Sequence, residues 1–111
     1  MTTLLILGAG KEQVAAISAA KAGLINLTHS LARLYSASGI TANAISPGLV
    51  ATDMIKKELK SRAGKQKAAQ IPAGRIAEPE EIAAGIVYLA SDAAAYVTGQ
   101  TLNINGGMLM S

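Results

Sequence analysis

The sequence predicts an α/β fold: a small three-stranded parallel sheet with one long and two or more shorter helices, in the order β-α-β-α-α-β. Three observations point there. Short aliphatic runs of strand length occur at residues 2–7, 40–45 and 101–105. Between the first two lies a helical pattern, residues 11–38, with no proline and one interior glycine. Half of the residues are apolar but only 3% are aromatic, so the core must be built from Ala, Val, Ile, Leu and Met. Such a composition suits helices packed on buried parallel strands, which read as aliphatic runs.

At 111 residues the chain is one domain, residues 1–111, large enough for a single core. It has no cysteine and one histidine, which excludes a disulfide framework and a thiolate or lone-histidine zinc site. No metal is expected. A single-stranded nucleic-acid platform needs aromatics beside cations and none are present in that pattern. The net charge of +3 does not by itself call for nucleic acid. No run reaches membrane-spanning length and the apolar start is too short for a signal peptide, so the expected setting is cytoplasmic, with no membrane partner.

Taken in order, residues 2–7 form the first strand, and Gly8-Ala9-Gly10 turns it sharply into the long helix. Along that helix Val14, Ile17, Leu24, Leu27, Leu31, Leu34 and Tyr35 recur at three- and four-residue steps, predicting one apolar face with Lys21 on or beside it. Ser38-Gly39 stops the helix with glycine where a left-handed residue is favoured. Residues 40–45 form the second strand, ended by Ser46-Pro47-Gly48, and residues 49–53 are loop. Residues 54–70 are weakly helical and strongly basic, read either as a solvated face or as a basic lid over an acidic partner. Glu78-Pro79-Glu80-Glu81 opens a further helix, with proline in the first turn and carboxylates at the positive end of the dipole. Its buried stripe is Ile82, Ile86, Leu89 and Ala90. Residues 92–95 make a turn or short helical step. Residues 101–105 form the third strand, closed by Gly106-Gly107.

Several motifs follow one another along the chain, with no internal repeat. They are Ser18-Ala-Ala-Lys21-Ala-Gly23, Gly39-Ile-Thr-Ala-Asn43-Ala-Ile-Ser-Pro47-Gly48, Thr52-Asp53-Met54 and Ile71-Pro-Ala-Gly-Arg75. Pro79-Glu-Glu-Ile82-Ala83, Tyr88-Leu-Ala-Ser91, Val97-Thr-Gly-Gln-Thr-Leu102 and Asn105-Gly-Gly-Met108 follow. From Ser18 onward the chain resembles the C-terminal half of a short-chain dehydrogenase/reductase, closest to the 3-oxoacyl-acyl-carrier-protein reductase branch. The resemblance implies a half-Rossmann-like fold. The family's first half carries its glycine-rich dinucleotide loop, adenine pocket and catalytic asparagine, and these have no counterpart here.

The same resemblance implies a catalytic tyrosine one helical turn before Lys21. That position is Ile17. The chemistry needs a hydroxyl whose pKa a nearby cation lowers. Isoleucine carries no such proton. The four-residue partners of Tyr35, Tyr88 and Tyr96 are Gly39, Asp92 and Gln100, so no shifted tyrosine-lysine pair replaces it. The family's serine would fall at Leu4, and Ser18 sits about 100° around the helix from Ile17. A second, shorter resemblance links residues 4–10, Gln13 and Ile17 to the opening strand-turn-helix of the ATP-grasp N-terminal domain. It would account for Ile17 through a chimera or a design.

The candidate sites each have two readings. Lys21 is either the remnant of the family lysine that binds the nicotinamide ribose or a snorkelling helix lysine. Pro47, Gly48, Leu49 and Thr52 resemble the family's nicotinamide-side loop, or form a plain strand-end turn. Gly8, Gly10 and Lys11 lie where amides and the helix dipole favour an anion. The third glycine of a dinucleotide fingerprint is Gln13, however, so a tight turn is the alternative. His29 has no acidic partner in its turn and reads as a surface histidine.

The resulting expectation is a non-catalytic fragment, chimera or redesigned scaffold derived from a short-chain reductase, associating with itself. The alternatives are an NAD(P)H-dependent oxidoreductase completed by another chain, and nucleotide or phosphate binding at Gly8-Ala9-Gly10. No cofactor is expected, and any NAD(P) contact would be weak. An acyl carrier protein, acidic in this pathway, is the partner that Arg33 and the basic segment would suit.

Overall fold

The computed structural model describes residues 2–6 and 15–110. Three strands, β1 (Thr2–Ile6), β2 (Thr41–Pro47) and β3 (Thr101–Ile104), form one sheet in the order β1-β2-β3. Both pairings are parallel, Thr2 against Thr41 through Ile6 against Ile45, and Ala44 against Thr101 through Pro47 against Ile104. Four helices connect them: α1 (Ala15–Tyr35), α2 (Asp53–Leu59), α3 (Arg62–Ala69) and α4 (Pro79–Ala90). The α/β reading and the three-stranded parallel sheet therefore hold.

The core lies between the sheet and α4. Ile45, Ile82 and Leu89 are buried there, with Ile86, Val97, Leu102 and Ile104 packed around them. Gly85 lets α4 approach, because a Cβ at that position would fall on Cδ1 of Ile104. Glu78 precedes α4, and its backbone N–H donates to Oε1 of Glu81 at 3.0 Å, so the acidic start expected from the sequence caps the helix. Ala90, expected in the buried stripe, is exposed.

On α1 the burial differs from the periodicity. Thr28 and Ala32 are buried and Lys21, Ile25 and Leu31 half-buried, whereas Leu24, Leu27, Leu34 and Tyr35 are exposed. The reason is in the sheet. Asn43 and Ile45 share one face of β2, so the alternating Ala42 and Ala44 present the other. A face of alanines accepts a row of small residues at close range and has no room for leucines. Thr28 satisfies its buried hydroxyl by donating to the Leu24 carbonyl at 2.8 Å.

Helix α1 ends in a 3-10 turn at Ser36–Ser38, and Gly39 then adopts φ +78°, the left-handed stop expected there. The basic segment is two helices rather than one. A side-chain bridge ties β2 to the segment just before β3: Asn43, fully buried, donates from Nδ2 to the Val97 carbonyl at 3.0 Å and accepts at Oδ1 from the Gln100 N–H at 3.1 Å.

Candidate functional site

In a parallel β-α-β unit the helix leaves the C-terminal end of the first strand and returns to the N-terminal end of the next. The second turn of α1, carrying Lys21, therefore lies toward the sheet end where β2 finishes at Pro47. Topology brings Lys21 and the 47–52 loop to one end of the sheet. No hydrogen bond or ion pair joins them among the described residues. Lys21 is half-buried in the row of Ile25, Thr28 and Ala32.

Each loop residue has a structural task. The Gly48 N–H donates to the Ile104 carbonyl at 2.8 Å, and a Cβ at Gly48 would come within 2.8 Å of the Asn105 Cα. Glycine is required by that close approach, whatever else the loop does. Leu49 accepts at its carbonyl from Ala77 N–H at 3.0 Å, beside a parallel bridge between Val50 and Ala77. Thr52 caps α2, its Oγ1 accepting from Ile55 N–H at 3.3 Å. A threonine used as a cap still exposes its side chain at the helix start.

Leu49, Ile71, Arg75, Glu81, Ile104 and Asn105 line a small cleft at this sheet end. Arg75 and Glu81 pair across it through two hydrogen bonds, Nη1 to Oε1 at 2.6 Å and Nη2 to Oε2 at 2.8 Å. The bond from Arg75, then that from the Glu78 N–H, lowers the Glu81 carboxyl from 4.5 to about 2, and burial opposes the shift. Arg75 is held above its ordinary value chiefly by the same bond. Sequence reasoning gave this arginine no role.

Ile17 lies in α1 one turn before Lys21. Tyr35 is at the far end of that helix, roughly 21 Å along the axis from Lys21 at the usual rise per residue. Gly8, Gly10 and Lys11, the candidate anion site, lie outside the described residues. Among the described residues no group of three His, Asp or Glu side chains is placed to hold a metal. None of their helices is long and apolar enough to cross a membrane.

A parallel sheet with a long helix between its first two strands and a Pro-Gly turn closing the middle one is part of a Rossmann-like α/β fold. The chain belongs to the short-chain dehydrogenase/reductase family: the profile described as enoyl-(acyl carrier protein) reductase matches residues 2–109. It is 46% identical over 101 residues to the 3-oxoacyl-[acyl-carrier-protein] reductase FabG of Vibrio cholerae, covering 91% of this chain and 41% of that protein. It is 48% identical over 90 residues to the acetoacetyl-CoA reductase of Rhizobium meliloti, covering 81% and 37%. Among solved structures, an Agrobacterium tumefaciens protein described as a 2-deoxy-d-gluconate 3-dehydrogenase, with bound NADP, superposes with a TM-score of 0.86. The two are 37% identical, over 96% of this chain and 46% of that one. The chain thus spans about two-fifths of the length of the curated relatives it matches.

Proposed function

We propose that this chain is a reductase-derived α/β module that does not itself transfer hydride and that acts as a self-associating scaffold. The observation that carries the first half is Ile17. It stands one turn before Lys21, where the reaction needs an ionisable hydroxyl, and no other tyrosine is spaced to replace it. A splice or a redesign at the start of α1 is the origin that fits this change. The second half rests on α1. Leu24, Leu27, Leu31 and Leu34 alternate three- and four-residue steps, the spacing of a helix-helix seam, and Leu24, Leu27 and Leu34 are 36%, 46% and 71% exposed. Burying this stripe against a second copy removes the apolar surface that the alanine face of β2 leaves uncovered.

Fluorescence titration with NADPH tests the catalytic reading. The expected outcome is no saturable binding up to millimolar cofactor, and micromolar binding would contradict it. Sedimentation tests the scaffold. A dimer that becomes monomeric on Leu27→Glu/Leu34→Glu is expected, and a wild-type monomer at high concentration would contradict it.

A second reading has its own support. Lys21 and the 47–52 loop occupy the same sheet end, so an NAD(P)H oxidoreductase completed by another chain remains a coherent use of these residues. Saturable NADPH binding that appears only with a partner chain would favour it.

A further inference from the structure

Strand β3 runs into Asn105-Gly106-Gly107, a turn closed by the Asn105 side chain as well as by the main chain. Asn105 Oδ1 accepts from the Gly107 N–H at 3.0 Å, and Nδ2 donates to the Leu109 carbonyl at 3.0 Å. The Asn105 main-chain carbonyl accepts from the Met108 N–H at 3.1 Å. An Asx turn of this kind folds the carboxamide back beside the peptide that follows it. That peptide belongs to Gly106, which is exposed at φ +63°. Its carbonyl accepts from the Ala73 N–H at 2.9 Å, while its own N–H has no hydrogen-bond partner among the described residues. The other three asparagines, Asn26, Asn43 and Asn103, precede Leu27, Ala44 and Ile104. A side chain there hinders approach of the next amide nitrogen to the carboxamide, and glycine has none.

We propose that Asn105 is a site of spontaneous modification, deamidating through a cyclic imide, and that the change releases the end of the chain. The Gly106 nitrogen, having lost its proton to hydroxide, attacks Cγ of Asn105 and forms an N–Cγ bond. Negative charge collects on Oδ1, where the Gly107 N–H already donates. The Cγ–Nδ2 bond then breaks, and Nδ2 takes protons from water and leaves as ammonia. Water opens the imide. Cleavage at Cγ gives aspartate, and cleavage at the main-chain carbonyl carbon gives isoaspartate, whose backbone is one methylene longer. The net change is carboxamide plus water to carboxylic acid plus ammonia, with nothing oxidised or reduced. The acid ionises, so the formal charge falls by one, from +3 to +2.

Either product breaks the turn. The Nδ2 donor becomes a carboxylate oxygen that only accepts, so two acceptors face each other where Asn105 held the Leu109 carbonyl. The longer isoaspartyl backbone also lacks room against β2, since a Cβ at Gly48 would lie 2.8 Å from both Cα and Cβ of Asn105. Leu109 and Met110 are exposed, so little packing replaces the lost bond.

The test incubates the full chain at mildly alkaline pH and follows it by ion exchange, peptide mass mapping and isoaspartyl methyltransferase labelling. A species with one positive charge less is expected, with its new carboxylate and its methylatable isoaspartate confined to position 105. Asn26, Asn43 and Asn103 are expected to stay amides, and the rate is expected to rise with hydroxide concentration. Asn105→Gln, with a longer side chain, is expected to form no such species. For the tail, carboxypeptidase is expected to trim Leu109 and Met110 several-fold faster from Asn105→Asp than from wild type, with the far-UV circular dichroism unchanged. An Asn105 that stays a carboxamide in the folded chain, over the time in which a free peptide of residues 101–111 converts, would overturn the site. Conversion that begins at another asparagine would do the same. Trimming of Asn105→Asp at the wild-type rate, or loss of its circular dichroism, would overturn the release of the tail.

Discussion

Asn43 shows how one side chain can hold two parts of a fold. Its carboxamide pairs with Val97 and Gln100 just before β3, while Thr98 accepts from the Ala42 N–H at 3.0 Å. Asn43→Ala leaves the Val97 carbonyl and the Gln100 N–H without this partner at a part-buried site. Chemical denaturation should show a loss of about 2–5 kcal/mol, taking a few kcal/mol for the two groups together. Asn43 was legible in the sequence only as a motif residue, because a polar residue in a predicted strand does not announce which loop it reaches. Glu81 is the other residue with a measurable signature. Its folded pKa, about 2, lies below the ordinary 4.5, so its stabilising contribution is complete above 4.5 and is lost as pH falls through 2. The melting-temperature difference between wild type and Glu81→Gln should therefore shrink across that window, and a constant difference would show that the carboxylate's charge is not what Arg75 uses.

Among the elements, the strands and α4 were the most readable. Aliphatic runs bounded by glycine mark buried strands, and a Glu-Pro-Glu-Glu start marks a helix, because both are local signals. The long helix was readable as a helix but not in its orientation. Periodicity located an apolar stripe and could not say that the sheet would present Ala42 and Ala44, which take Thr28 and Ala32 instead. The basic segment was readable as charge, while its division into α2 and α3 depends on caps at Thr52 and Ser61 and on the Gly64 crossing. The clustered buried aliphatic residues Ile45, Ile82 and Leu89 work on the α4 side. Ile45→Ala there should cost about 2–5 kcal/mol in a denaturant titration. By contrast, Leu34→Ala should be nearly neutral in the dissociated chain, since its side chain is exposed.

At the scale of the whole molecule, the radius of gyration of 15.4 Å exceeds the roughly 13 Å of a compact chain this long. The extents of 51 × 31 × 23 Å describe an elongated body. A three-stranded sheet with one helix layer on each face leaves α1 only partly covered, which is why self-association accompanies the loss of catalysis in our reading. The fold and family were legible because the motifs from Ser18 onward keep their order and spacing. Use was less legible, because the decisive residue, Ile17, is informative only through the hydroxyl it lacks. The rate of NADPH oxidation by the purified chain with an acetoacetyl thioester bears most directly on the central claim. No rate above the enzyme-free control is predicted. Robust turnover that disappears in Lys21→Ala would contradict it.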